Sequence, residues 1–262
     1  MASLKISLTN YIETATLKNG TGGGAPARDE VSPYVMEKVQ ARSRRQFWQK
    51  SAASDLDVDF LLAASTALDA GGIAGHLPIS GVGISQYTMK YQTGAYTPGG
   101  TWTTIPGMSA IAVSSALDKV RSFDSQVTAD SIRFSLTVSS VFTLALCVAG
   151  KHDHDLGTLW SSLSAEKITP QFEDQSFGGD SIINYVGTDR EHWNITWNDI
   201  LGATLAKLEA TRATRRSFWI MDKLGVGREF IAVGGRLART HHMEYASDTL
   251  YRGVSMSLKQ VV

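Results

Sequence analysis

The dominant period along the chain is two. In "QYTMKYQ", Tyr87, Met89 and Tyr91 fall on one face, with Gln86, Thr88, Lys90 and Gln92 on the other. "SIRFSLTV" repeats the pattern, setting Ile132, Phe134, Leu136 and Val138 against Ser131, Arg133, Ser135 and Thr137. Such alternation marks a strand with one dry and one wet face, so the four apolar residues are expected to be buried and their alternates exposed. A slip of one residue would invert both faces. After the break at Ser139 and Ser140, "VFTLALCVA" reads as a strand buried on both sides. "YTPGGTWTTI" reads as a turn built on Pro98, Gly99 and Gly100 that leads into a strand.

The period changes after Trp197. "NDILGATLAKLEATRA" carries Leu201, Leu205 and Leu208 at helical spacing, with Asn198 or Asp199 placed as the N-cap. Strand patterns return in "RRSFWIMD", "REFIAVGG" and "YRGVSMSLKQV", the last alternating Val254, Met256 and Leu258 with Ser255, Ser257 and Lys259. Trp193 and Trp197 in "EHWNITW" share a face and read as core. The second half is therefore strand, helix, strand, strand, strand, and the fold class is mainly β with one flanking helix. "NGTGGGAPARDE" (19–30) has the composition of a flexible loop. "GKHDHDLG" (150–157) is the boundary the pattern offers, separating a domain at 1–152 from one at 153–262.

Composition narrows the function classes. The chain has 262 residues, 43% hydrophobic and 19% charged, enough to bury one or two sizeable cores. Its 25 basic and 25 acidic residues divide evenly, 13 of each preceding Gly157, so neither half has the basic excess that nucleic-acid phosphates would attract. Cys147 is the only cysteine, which excludes an intrachain disulfide and any CxxC metal site. The run around "VFTLALCVAG" is too short to span a bilayer, so no membrane insertion is expected. "MASLKISLTN" lacks the apolar stretch of a secretion signal, and folding in a cytosol is the expectation. The sequons at Asn19 and Asn194 then carry no weight.

Each group that could carry chemistry has a plainer explanation. "LDAGGIAGHLPISG" gathers Gly71, Gly72 and Gly75 beside His76, but "LPISGVG" follows where a phosphate loop needs a helix N-terminus. These glycines read as places where strands turn and pack closely, with His76 making a turn hydrogen bond. His152, Asp153, His154 and Asp155 in "KHDHD" have metal-like composition; with no further ligands nominated, they read as a solvated linker. His241 and His242, being adjacent, point to opposite faces of a strand. Asp55, Asp57 and Asp59 in "SDLDVDF" alternate without the glycine and glutamate of a calcium loop, and read as a wet strand face. No GxSxG elbow is present. Arg42, Arg44, Arg45, Phe47 and Trp48 in "RSRRQFW" mix cations with aromatics and read as a surface patch beside a buried tryptophan or, equally, as the candidate interface. No catalytic, cofactor or metal residue is nominated.

The order of segments carries a resemblance. "NYIETATL" is followed by a variable loop, then by "FWQKSAASDLDVDFLLAASTALDAGGIAGHLPISGVGISQYTMKYQTG", "TWTTI" and "TADSIRFSLTVSSVFTLALCVAG". Over residues 8 to 150 this resembles the discoidin or galactose-binding-like jelly roll, in the version common in tailed-phage virion proteins. "GHL" stands here where that version has "GHN". Residues 160 to 262 resemble the sheet-plus-helix units of phage tail and baseplate proteins. The resemblance implies a non-enzymatic structural protein of a tailed phage particle, in the tail, baseplate or neck. It would assemble as a homo-oligomeric ring with other virion proteins, its jelly roll packing on neighbours or carrying an adhesin. The alternative is a carbohydrate-binding module recognising host surface glycans.

Overall fold

A computed structural model of the chain describes residues 5–19, 36–40, 46–113, 119–155, 160–168, 171–175, 181–185, 190–213, 216–221, 225–238, 241–245 and 248–261. The chain divides into two compact units: Ser7–Asp153 with Met221–Gly227, and Met1–Ile6 with His154–Ile220 and Arg228–Val262. Residues 20–30 of the expected flexible segment lie outside the described residues, as do Arg42, Arg44 and Arg45.

The first unit is an antiparallel β-sandwich organised around two long strands, Leu56–Pro78 and Lys119–Val138. The first half of Leu56–Pro78 pairs with Thr16–Asn19 on one side and with Ser131–Leu136 on the other. Its second half pairs with Phe142–Gly150 and with Lys119–Ser122. The register shifts between Leu61 and Thr66 and again between Leu68 and Ala70, and such irregularities bend a strand, so the same two strands serve both layers. Ile84–Gln92 extends the first layer by pairing with Ser131–Val138, and Trp48–Lys50 extends the second by pairing with Phe142–Leu144.

Alternation decides what lies between the layers. Phe60, Val58 and Leu56 stand opposite Ile132, Phe134 and Leu136, which in turn stand opposite Tyr91, Met89 and Tyr87. All but the half-buried Tyr91 are buried, and Phe60 meets Phe134 edge to face with ring centroids 5.8 Å apart. Each such side chain contributes about 1.5–3 kcal/mol. Phe142–Gly150 is buried along almost its whole length, as its continuous apolar run predicts. Asn10 ties the entry of the chain to this strand. Its Oδ1 accepts from Ile12 N–H at 3.2 Å and Ala149 N–H at 3.0 Å, and its Nδ2 donates to the Cys147 carbonyl at 2.9 Å.

The glycine cluster is scaffold. Gly71, Gly72 and Gly75 lie within the strand Leu56–Pro78 rather than in a loop. His76 is buried, and its Nε2 accepts the Ile84 N–H at 3.0 Å across the following turn. The "KHDHD" segment is tied down rather than a free linker: His152 N–H donates to Asp69 Oδ2 at 3.2 Å, and Asp153 Oδ2 accepts from Leu8 N–H at 2.7 Å. Trp48 is fully buried with its ring edge-on to Phe142 at 5.2 Å, the buried tryptophan of the two readings, and so belongs to the core and not to the candidate interface. Phe47 beside it is half-buried.

In the second unit, Arg190–Leu201 pairs with Trp160–Ile168 and Asp248–Gln260, and the latter also pairs with Phe230–Ala238 and His241–Tyr245. Gln171–Gln175 and Ser181–Tyr185 form a separate hairpin. Trp193, Ile195, Trp197, Val254, Met256 and Leu258 are buried on alternating positions, as expected. The helix runs Gly202–Ala213 and buries Leu205 and Leu208. Asn198 and Asp199 do not cap it, because the strand continues to Leu201, its last residues laddered against Leu250–Arg252. The sequence pattern also omits four strands of five residues or more, Trp160–Ile168, Gln171–Gln175, Ser181–Tyr185 and His241–Tyr245, which lack a clean apolar alternation. Among the described residues no helix is long and apolar enough to cross a membrane.

Candidate functional site

The outer face of the first layer is where the expected pattern fails, and the failure defines a site. Three rows cross the strands there: Lys90, Arg133 and Asp59; Thr88, Ser135 and Asp57; and Gln86 with Thr137. Period two puts every one of these polar residues on the side away from the core. They were expected to be in water. Yet Arg133 is only 7% exposed and Asp59 0%, and Ser131 is also buried.

The cover comes from the segment after the strand Ile84–Gln92. Gly94 N–H donates to Asp130 Oδ2 at 2.7 Å, and Thr97 N–H donates to Gln92 Oε1 at 2.9 Å, which folds the loop back over the sheet. Tyr96 then donates its hydroxyl to Asp59 Oδ2 at 3.0 Å. Trp102 lies with its ring 4.2 Å from Arg133 Cζ and its indole N–H on the Pro98 carbonyl at 3.3 Å. Beneath them Arg133 grips Asp59 with two parallel bonds of 2.7 Å, from Nε to Oδ1 and from Nη2 to Oδ2. The same guanidinium reaches Asp57 Oδ2 at 3.1 Å and donates to the Pro98 carbonyl at 2.9 Å. A planar fork satisfied on this many sides is the arrangement in which arginine, unlike lysine, can be buried.

The electrostatics follow from that packing. Burial opposes the charge on Arg133, but the hydrogen bonds and attraction of Asp59, with the pull of Asp57, outweigh it and leave the guanidinium more firmly protonated than usual. The Tyr96 hydroxyl is pushed above the ordinary tyrosine value of 10.0, first by burial and then by the adjacent Asp59. Tyr87, whose hydroxyl donates to the Lys119 carbonyl, is raised as well, again chiefly by burial. For a phenol whose folded pKa lies above its unfolded one, the stability contributed is fully present below the unfolded value and is lost as pH rises from there through the raised folded value. Stability measured by denaturant unfolding is therefore expected to fall as pH passes about 10, and Tyr87→Phe should flatten that fall. An unchanged slope in Tyr87→Phe would show that Tyr87 ionises equally in both states.

Beside the covered cluster the same face stays open. A groove of about 370 Å³ is lined by Asp55, Asp57, Thr88, Lys90, Ser135 and Thr137. Its polar groups are fixed from behind: Asp55 Oδ1 accepts Val138 N–H at 2.7 Å, and Thr88 Oγ1 accepts Ala110 N–H at 3.0 Å. A second, uncharged hollow of about 470 Å³ lies among Tyr91, Gln92, Thr97, Thr101 and Thr103. Among the described residues no group of three or more His, Cys, Asp or Glu side chains is placed to hold a metal ion.

Of the residues singled out in the sequence, the structure brings Asp55, Asp57 and Asp59 to this face, though Asp59 is buried and not a wet position. Arg133, Tyr96 and Trp102 are the residues that strand patterning alone missed. The available signal was charge matching: one arginine on the polar face of "SIRFSLTV", and aspartates at the same period in "LDVDF".

No family model matches the chain, and no curated protein matches it significantly. Among solved structures it is similar to chitosan-binding module 1 of a chitosanase/glucanase from a Paenibacillus species, at 14% identity and TM-score 0.41, covering 54% of this chain and 98% of that one. It is also similar to a family 32 carbohydrate-binding module from Clostridium perfringens in complex with galactose, at 14% identity and TM-score 0.37, covering 56% and 98%. A third match is a Ruminococcus gnavus fucosidase in complex with fucose, at 19% identity and TM-score 0.41; it covers 56% of this chain but 27% of that enzyme. At these levels no residue role passes from those proteins to this one. The fold and site by themselves define the class: a mainly antiparallel β-sandwich with a polar groove on one sheet face.

Proposed function

We propose that the Ser7–Asp153 unit is a non-catalytic carbohydrate-binding module, with the sugar lying in the outer-face groove. The groove itself carries this reading. A sugar hydroxyl both donates and accepts, so a sugar site needs fixed acceptors and donors side by side on a rigid support. Asp55 and Asp57 supply acceptors, Lys90 and the hydroxyls of Thr88 and Thr137 supply donors, and all five stand on or beside one sheet face. The half-exposed Trp102, packed on the arginine that grips Asp57, adds apolar surface near the groove for sugar C–H groups.

A second reading, assembly with other virion proteins in a homo-oligomeric ring, has one observation in its favour. Leu77, at the end of the strand Leu56–Pro78, and Ile79 and Val82, in the turn that follows, are each at least half exposed, an aliphatic tip that suits a protein contact.

One comparison separates the two. The purified chain is run through gels containing immobilised glycans, with chitosan and galactose polymers first in the panel, and its mass is measured in parallel. Retardation by at least one glycan, weakened several-fold in Thr137→Val, is the expected result. A folded chain that no glycan retards, and that runs as a closed oligomer dispersed by a Leu77/Ile79/Val82 to serine triple change, would transfer the assignment to assembly.

A further inference from the structure

Resting on the carbohydrate reading, we infer that the groove selects glycans without acidic groups. The lining and its support carry three aspartates, Asp55, Asp57 and Asp59, against two cations, Lys90 and Arg133, a formal charge of −1. The cations are not equally available. Arg133 is held by Asp59 and Asp57 and turned under Trp102, so it offers nothing to a ligand in the groove. Lys90 makes no ion pair with a described residue, and it is the only cation in the groove lining. Each open aspartate has one oxygen engaged, Asp55 by Val138 N–H and Asp57 by Arg133, leaving the other to accept.

The chemistry of the accessible lining points to the kind of ligand. Carboxylates accept only, so the ligand must bring O–H or N–H donors to Asp55 and Asp57 and one acceptor to Lys90. A neutral or amino-bearing sugar with free hydroxyls provides both. A uronic acid or sulfated sugar brings its anion to a surface already negative, where like charges in a partly dry groove repel.

The test uses the full chain and matched polymers, galactan with polygalacturonate and chitosan with its N-carboxyl-bearing derivative, by calorimetry at low ionic strength. Binding of the uncharged or amino polymer at least about tenfold tighter than the acidic counterpart is expected, from one unit charge facing the groove. Asp55→Asn, at an exposed position that leaves Arg133 and Asp59 untouched, should narrow that ratio, and Asp55→Asn/Asp57→Asn should narrow it further while circular dichroism stays native. Acidic polymer bound as tightly as the neutral one, and lost in Thr137→Val, would overturn the selectivity while leaving carbohydrate binding intact. No binding of any polymer would sink the carbohydrate reading and this inference with it.

Discussion

Replacing Arg133 with methionine is expected to cost the fold about 3–5 kcal/mol, because Asp59 would stay buried without its counter-charge. Both members of the pair are shielded from water, so solvent cannot take over the role of the guanidinium. The loss spreads along the loop as well: Arg133 is the platform for Trp102 and a donor to the Pro98 carbonyl, and Tyr96 is anchored on the same carboxylate. The double variant Arg133→Met/Asp59→Leu removes both charges and is expected to recover much of the loss, since a buried pair replaced by apolar groups is often neutral. Recovery stops short of complete because the Tyr96 hydroxyl loses its acceptor and Asp57 its partner. Urea unfolding of the two variants measures this directly. A single variant within about 1 kcal/mol of the parent would mean that water reaches Asp59 and that the loop is not a seal.

That cluster also marks where sequence patterning stops. Alternation in "SIRFSLTV" and "QYTMKYQ" places Phe134, Leu136, Met89 and Tyr87 in the core correctly, because a strand face is set by period two alone. It cannot tell that Arg133, on the opposite face, is buried too. That depends on residues 94–102 folding back from a different part of the chain, a tertiary event with no local periodicity. The helix start shows the same limit in another form. Asn198 and Asp199 are good caps by chemistry, but the ladder from Asp199–Leu201 to Leu250–Arg252 holds the chain extended past them. The groove was half legible: its aspartates alternate visibly, while Thr88, Lys90 and Ser135 join them only through the register of three strands.

Gly72→Ala is expected to be among the most damaging single substitutions in the chain, costing upwards of about 4 kcal/mol or preventing folding. A Cβ at this position would sit 2.0 Å from the Lys119 carbonyl oxygen and 2.7 Å from Val120 Cα, both backbone atoms of the paired strand. No side chain can swing aside to make room, so the two long strands of the sandwich would have to part. The backbone adds to the cost, with φ at +150°, where an L residue is strained. Gly94→Ala is the control. It also has a positive φ, +82°, but nothing lies within 4 Å of the added carbon. Its expected cost is the conformational part alone, about 1–2 kcal/mol. Denaturant unfolding of both variants separates strain from contact. Equal costs would mean that the strands do not approach closely at Gly72. A large excess for Gly72 would establish that "LDAGGIAGHLPISG" carries its glycines to let strands meet and not to cradle a phosphate.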